Sequence, residues 1–432
     1  VERIATSELA AYVGQRVRLA GWVHRIRRLS NVTFVILRDS RGMVQIVVEE
    51  PSARQALATL EHEYVIEIEG MAVAVAQAPN GVEVHRPVIE LTAAAAAPLP
   101  VDLFRPTLAA RLPTLLDHAA LTLRHPRRQA TFRLAAASMA GFRQALQAQS
   151  FVEIQTPKIV AGATESGANV FAIDYFGRPA YLAQSPQLYK QIMVGVFERV
   201  FEVGPVFRAE PHDTPRHLNE YVSMDAEMGF IRDHTTVMAM LTQALRGMAA
   251  AVEAEQAALR HLGVSVPTIP ATIPTIHFTD AQATIARETD EDPRGEPDLS
   301  PAHERFLGEW ARREYGSEFL FVVGYPMVKR PFYTHPDLEH PTYSNSFDLL
   351  FRGMELVTGG QRLHRHADYL AALADRGLDL GGLEGYLEAF AYGMPPHGGF
   401  AIGLERWVAR IVGAANLRET ALFPRDMQRL TP

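Results

Sequence analysis

The sequence predicts an α+β protein in two parts: a small β-barrel, then a larger domain whose antiparallel β-sheet is flanked by helices. Residues 1 to about 98 hold five short runs rich in β-branched residues. Beyond the alanine- and proline-rich stretch Ala93–Pro106, strand-like and helix-like segments cluster rather than alternate, which favours α+β over a doubly wound sheet. The length, 432 residues, leaves room for two or three domains, and 47% apolar with 21% charged residues is ordinary for a globular chain.

The five runs are Arg16–Val23, Val32–Leu37, Val44–Val48, Tyr64–Val75 and Val82–Leu91, with turn signals at Asp39–Gly42 and Pro79–Gly81. Five strands in under 100 residues fit an OB-type barrel, which binds single-stranded nucleic acid on one face. An SH3-like barrel or a purely structural domain fits the same count. The expected division is 1–98 for the barrel, 99–127 for a linker and 128–432 for the larger domain. In that domain Phe132, Ala135, Met139, Phe142 and Leu146 recur at helical spacing, giving an amphipathic helix over 128–149. Short strands dominate from about 150 to 230, and 234–262 is helical. The segment 264–300, broken by prolines and acids, reads as irregular. Strand-like runs return at Phe319–Val323 and Ser346–Thr358, followed by helices near 366–376 and 382–391 and a closing strand and helix over 398–413.

Several classes of function are excluded by composition. With no cysteine, the chain has no disulfides, thiolate metal sites or thiol nucleophile. No apolar run approaches the roughly 20 residues of a membrane-spanning helix, and no secretory signal is apparent, so a cytoplasmic protein is expected. The net charge of −7 argues against an all-over nucleic-acid binder, yet seven arginines between residues 16 and 41 face one acid, Asp39. Only three of the 42 basic residues are lysines, Lys158, Lys190 and Lys329, which marks them as positions that want a compact ammonium.

Three stretches carry chemistry. In Arg199–Phe230 two strands flank a polar loop, and a period of two places Ser223, Asp225 and Glu227 opposite an apolar face. Arg208 shares a face with Glu202 and ends beside a loop bearing Arg216 and His217; arginines converging near carboxylates suit a polyanion held with a metal, or an amino acid. A hairpin with a solvated face reads equally well. In Tyr343–Arg365, Glu355 ends an apolar strand and precedes Gly359, Gly360 and Arg362, where paired glycines permit close backbone approach to a ligand. His364, His366 and His397 lack a carboxylate frame for a metal site. In Pro395–Arg410 a glycine-rich strand enters a helix whose core face is Leu404, Trp407, Val408 and Ile411. Arg406 sits in its first turn against the helix dipole, and a phosphate ligand would account for it.

Taken in order, the helix and strand ending at Pro157, FRAE with RHLNEY (207–221) and GGFAIGLER (398–406) resemble the three motifs of class II aminoacyl-tRNA synthetases of the aspartyl, asparaginyl and lysyl subgroup. Within the subgroup, QSPQLYKQ (184–191) and GGQRLHR (359–365) are similar to aspartyl-tRNA synthetase signatures. The resemblance covers essentially the whole chain. It implies an OB-fold anticodon-binding domain, a class II catalytic domain, a homodimer formed through motif 1, and the substrates ATP and L-aspartate with Mg²⁺. Lys190 and Arg362 would face the substrate side-chain carboxylate. Glu165, in ATESGANVF, would bind the α-amino group, helped by Gln187 and less firmly Asp225. Arg208 would contact the substrate carboxylate and α-phosphate. Glu210, Arg216, His217, Leu218 and Gly403 would frame ATP, with Arg406 at the γ-phosphate. Glu355 would hold Mg²⁺, and Thr358, where close relatives carry Ser, keeps the hydroxyl for a metal or substrate contact. In the barrel, Phe34 would stack on an anticodon base, Gln45 would read a base edge and Arg27 would contact the backbone or a base.

The chain has no room for the large insertion of typical bacterial aspartyl enzymes and resembles the compact archaeal and eukaryotic type. There, a Trp in the strand holding His24 and a Lys near Pro87 accompany strict use of tRNA(Asp). His24 and Pro87 resemble the non-discriminating pattern, in which aspartate also goes onto tRNA(Asn) for a separate amidotransferase. Competing readings are a discriminating enzyme, an asparaginyl enzyme, a silent RNA-binding paralogue and an amide-forming ligase on the same fold.

Overall fold

The computed structural model describes residues 2–162, 169–211, 214–378 and 381–431, and the chain forms two compact units, Val1–His125 and Pro126–Pro432. In the first, strands β1 (Arg16–Arg28), β2 (Thr33–Arg38), β3 (Met43–Val48), β4 (Val65–Ala74) and β5 (Val82–Ala93) form a closed barrel in the order β1–β2–β3–β5–β4. A short helix, α1 (Pro51–Ala56), joins β3 to β4. Alternation fills the interior with Val17, Leu19, Val35, Leu37, Val44, Ile46, Ile66 and Ile68. A bulge between Val23 and Arg25 breaks the alternation of β1, so that Val23 and His24 are both buried. Part of the expected 99–127 linker is structured: Val101 and Leu103 are buried, Phe104 stacks on His62 at 4.8 Å, and α2 (Leu112–Asp117) and α3 (Ala119–Thr122) follow.

The second unit opens with the long helix α4 (Pro126–Gln147) and strand β6 (Val152–Glu153). A small three-stranded sheet comes next, from β7 (Ile159–Val160), β8 (Ala172–Tyr175) and β9 (Arg178–Leu182), and then helix α5 (Gln187–Phe197). Strands β10 (Arg199–Phe207) and β11 (Glu220–Gly229) pair antiparallel across the polar loop and lead to helices α6 (His234–Ala254) and α7 (Gln256–Leu262). Within 264–300 the chain is not irregular throughout: β12 (Thr275–His277) and α8 (Phe278–Glu288) lie there. The apolar residues Phe278, Ala281 and Ile285 recur at three- and four-residue steps, a period masked by the prolines on either side. Helix α9 (Pro301–Tyr315), with a Ser300 cap, leads to β13 (Phe319–Val323).

The run Ser346–Thr358 is a hairpin rather than one strand. Strand β14 (Ser346–Phe351) turns at Arg352 and Gly353, both at positive φ, into β15 (Met354–Gln361). Glu355 therefore begins a strand instead of ending one. Helices α10 (His366–Asp375) and α11 (Glu384–Ala391), strand β16 (His397–Gly403) and helix α12 (Leu404–Val412) complete the unit.

The large sheet has the order β12–β13–β14–β15–β16–β11–β10–β6. Its six central strands are antiparallel and its two edges pair parallel, so the sheet is mixed at its margins. Helices α4 and α6 cover one face. They approach so closely that a side chain on Gly141 would come within 2.5 Å of the Gly247 carbonyl. Phe142, Phe201, Met224, Ala226, Phe400 and Trp407 fill the core beneath them, and the Trp407 indole donates to Ser138 on α4 at 2.9 Å. That leaves the opposite face of the central strands free for polar chemistry.

Candidate active site

Strand β11 supplies the floor. With Met224, Ala226 and Met228 in the core, alternation turns Ser223, Asp225 and Glu227 to the other face. The neighbouring β16 is nearly bare there: Gly399 lies opposite Glu227, and any side chain on it would come within 2.1 Å of the Glu227 carboxylate. Two cations meet these acids. Lys190, on α5, is 1% exposed, and its Nζ donates to Asp225 Oδ1 at 2.9 Å and lies 3.3 Å from Glu227 Oε2. Arg362, just past β15, donates through Nε to Glu227 Oε1 at 3.0 Å and through Nη2 to Gly399 O at 3.2 Å and Gln187 Oε1 at 3.4 Å. Burial alone would raise the Glu227 carboxyl, but Arg362 and Lys190 outweigh it and hold it below the usual range. Lys190 is thus a buried member of a four-charge cluster, not a surface charge on a helix.

A cavity of about 120 Å³ opens beside this cluster. Arg208, Glu210, Arg216, His217, Leu218, Glu355, Gly403 and Arg406, all expected around a nucleotide, line it together with Ser223 and with Thr358, expected at a metal or substrate contact. The Ser223 hydroxyl donates to Asp225, so the cavity and the charge cluster are contiguous. Arg208 stacks over the Tyr221 ring, 5.6 Å from its centre. His217 Nε2 lies 3.2 Å from a Glu210 carboxylate oxygen, and Arg406 Nη1 donates to the Glu355 carbonyl at 3.0 Å. Burial opposes ionisation of Glu355, and Arg406, Arg330 and Arg208 overcome it, so its carboxyl is held low. Glu202, expected to accompany Arg208, is instead engaged by Lys158 at 2.5 Å and by the Thr156 hydroxyl at 2.7 Å. Lys158 thereby gains a role that its sequence context does not reveal.

Several site residues lie outside the sequence expectation. Asp348, on β14 opposite Thr358, is buried beside Glu355 and accepts from Arg330 at 3.0 Å. Burial, with Glu355 adding repulsion against the opposing Arg330, raises its carboxyl to about 6. A single acid inside the apolar run SFDLLF was the available signal. Glu304, from α9, accepts from Arg216 and from the Glu355 backbone N–H at 3.0 Å, tying the polar loop to the start of β15. Nothing in its helical, charged surroundings distinguishes it. Glu405 is buried against Val222, whose N–H it accepts at 3.1 Å, and burial raises its carboxyl to about 7. Glu165 falls outside the described residues. Among the described residues no three His, Cys, Asp or Glu side chains gather as a metal cluster.

In the barrel, Arg27 lies opposite Phe34 across β1 and β2, with its guanidinium 4.8 Å from the ring centre. Phe34 is half-buried on the outer face rather than in the core, and Gln45 shares that face, its amide donating to Glu83 at 2.6 Å. His24 departs from the expected RNA contact. It is 9% exposed, its Nδ1 is 3.1 Å from Arg38 Nη1, and Arg38 is in turn clamped by Glu63 at 2.8 and 2.9 Å. Burial, then Arg38, lowers the imidazole to about 4, so it is neutral. Pro87 follows Arg86, at positive φ, and its Cα would lie 3.5 Å from a side chain placed on Gly70. Both residues shape the barrel wall.

Residues 112–427 match the family model described as tRNA synthetases class II (D, K and N), and residues 17–92 match that of the OB-fold nucleic acid binding domain. The chain is 45% identical to the aspartate–tRNA(Asp/Asn) ligase of Thermus thermophilus, over 100% of both chains. It is 44% identical to the Deinococcus radiodurans protein of the same name, over 100% of this chain and 99% of the other. The asparaginyl-tRNA synthetase of Pyrococcus horikoshii, solved with asparaginyl-adenylate, superposes with a TM-score of 0.91 at 30% identity, covering 100% of both chains.

Proposed function

The chain belongs to the class II tRNA synthetases of the D, K and N group, and from that premise we propose that it attaches L-aspartate to both tRNA(Asp) and tRNA(Asn) in an ATP-dependent reaction. The carrying observation is the burial of Lys190 and Arg362 together on the site floor. Two desolvated cations recognise a side-chain carboxylate and leave a neutral amide poorly served. The asparaginyl relative shares the fold, so the choice of amino acid rests on these side chains rather than on architecture.

No protein nucleophile is required. The α-carboxylate of aspartate attacks the α-phosphorus of ATP in line and pyrophosphate leaves; the terminal ribose hydroxyl of tRNA, the 3′ one, then attacks the adenylate's carbonyl carbon, loses its proton and expels AMP. Catalysis is then positioning and charge stabilisation. Arg208 would bridge the attacking carboxylate and the α-phosphate, and Arg406 would meet the γ-phosphate end. His217 and Glu210 would hold the adenine side of the polar loop. Asp348, Glu355 and Thr358 offer an all-oxygen set of the kind Mg²⁺ prefers. The raised Asp348 carboxyl, buried beside a second carboxylate, is what a divalent cation would relieve. When bound, Mg²⁺ would neutralise phosphate charge.

Phe34 and Arg27 form the base-stacking platform of the barrel and Gln45 its edge reader. His24 and Pro87, together with relatives named for both tRNAs, support relaxed tRNA choice. A homodimer, a cytoplasmic site of action and an amidotransferase that processes Asp-tRNA(Asn) complete the reading. ATP–pyrophosphate exchange tests the activation step. Aspartate should drive it and asparagine should not, and Arg208→Ala should abolish it; near-normal exchange in that variant would sink the reading.

A further inference from the structure

The polar loop of the candidate nucleotide site is closed at its base by Asn219. Continued one step past Phe207 and Glu220, the register of β10 and β11 sets Arg208 opposite Asn219. The Arg208 N–H donates to the Asn219 carbonyl at 2.9 Å. An antiparallel pair of this kind ordinarily returns the bond, main-chain N–H to main-chain carbonyl. Here the Asn219 N–H is turned instead to the Arg425 carbonyl of the C-terminal segment, 2.9 Å away. The side chain supplies the rung in its place: Nδ2 donates to the Arg208 carbonyl at 2.8 Å and to the Glu210 carbonyl at 3.3 Å.

Both of those partners are carbonyl oxygens, which can only accept, so the amide has one orientation, NH2 toward the loop. Three N–H bonds of one residue thus serve three carbonyls. Ser or Thr offers a single side-chain proton and an ionised Asp offers none, so a short side chain that closes the loop in this way must be Asn. The two carbonyls it holds belong to residues whose side chains line the cavity, while Asn219 itself lies outside that lining. Arg208 would meet the α-phosphate. Glu210 is held at its other end by His217, 3.2 Å from its carboxylate. Pinning both carbonyls fixes the backbone where the chain leaves the sheet, and with it the points from which the two side chains enter.

We infer that Asn219 is a positioning residue for ATP: its amide holds the base of the loop so that Arg208 and Glu210 enter the cavity together. This deepens the reading of the cavity as the nucleotide site and rests on it.

The test compares Asn219→Asp, which has nearly the same shape but sets an acceptor against both carbonyls, with Asn219→Ala, which removes the donors alone. Neither change touches the main-chain N–H on Arg425. Exchange is measured at saturating aspartate with ATP varied, and ATP binding with Mg²⁺ is followed by calorimetry without amino acid. Asn219→Ala should raise the ATP KM about tenfold, the scale of one lost hydrogen bond, and Asn219→Asp should raise it further. Calorimetric affinity should fall in the same order. Asparagine should drive exchange no better than in the parent, because Lys190 and Arg362 lie outside the loop. A merely structural role predicts a lower urea midpoint with the parent's ATP KM and affinity. If both variants bind ATP as the parent does, or if asparagine begins to drive exchange, the inference is wrong. Should Asn219→Asp not fold, Asn219→Ala decides by the same KM and affinity. A parent chain that binds no ATP would overturn the reading of the cavity, and the inference with it. A parent that binds ATP but shows no exchange with aspartate would overturn the aspartate reading alone, and calorimetry would still decide the role of Asn219.

Discussion

Replacing Lys190 by Met separates two things that the ammonium does. Its Nζ is 2.9 Å from Asp225 and 3.3 Å from Glu227, and all three side chains are buried. Glu227 keeps Arg362 at 3.0 Å after the change, but among the described residues Asp225 keeps just the Ser223 hydroxyl. Removing one partner of a buried pair costs about 3–5 kcal/mol, because the remaining charge is uncompensated. Against a total stability of roughly 5–15 kcal/mol that loss is readily seen as a lower urea midpoint. The same change removes one of two cations from the substrate carboxylate, so the aspartate KM in pyrophosphate exchange should rise by about a hundredfold or more. Adding Asp225→Asn discharges the orphaned carboxylate. The double variant should therefore recover most of the stability while exchange stays lost. If its stability loss is instead the sum of the two single losses, Lys190 does not stabilise Asp225. If exchange returns with stability, Lys190 is structural and does not recognise substrate.

Glu405 predicts a pH signature. Its folded carboxyl is raised to about 7 from 4.5, so its contribution is full below about 4.5 and is lost as pH rises through 7. Glu405→Gln, which can still accept from Val222, should therefore gain about 2–3 kcal/mol relative to the parent between pH 5 and pH 8 in urea unfolding, and a constant difference would refute the assignment. Phe34→Ala should raise the tRNA KM roughly five- to hundredfold, the worth of one stacked base, and leave pyrophosphate exchange untouched. Glu304→Ala frees Arg216 and strips the Glu355 N–H of its acceptor, so the ATP KM should rise roughly ten- to hundredfold with the aspartate KM unchanged; Glu304→Gln, which can still accept that N–H, should lose less.

Periodicity found every strand of the barrel because one face of each is buried, and the hydrophobic alternation of β11 revealed the acid-bearing face directly. It was blind where tertiary contacts decide. The β14–β15 hairpin reads as one strand because both arms are apolar and the two-residue turn at Arg352–Gly353 is short. Helix α8 is hidden by flanking prolines. Asp348 and Glu304 act through partners 10 and 51 or more residues away along the chain, Thr358 and Glu355, and no local pattern announces such pairs. Lys190 stood out only by its rarity; its burial follows from α5 packing over β11. The inward turn of His24 comes from the bulge at Val23–Arg25, which a strictly alternating reading of β1 cannot foresee.

The most direct measurement is charging of tRNA(Asp) and tRNA(Asn) transcripts, each tried separately with labelled aspartate and labelled asparagine. Aspartate should appear on both tRNAs and asparagine on neither. Aspartate on tRNA(Asp) alone would remove the role given to His24 and Pro87, and asparagine on tRNA(Asn) would contradict the central claim that Lys190 and Arg362 select a carboxylate.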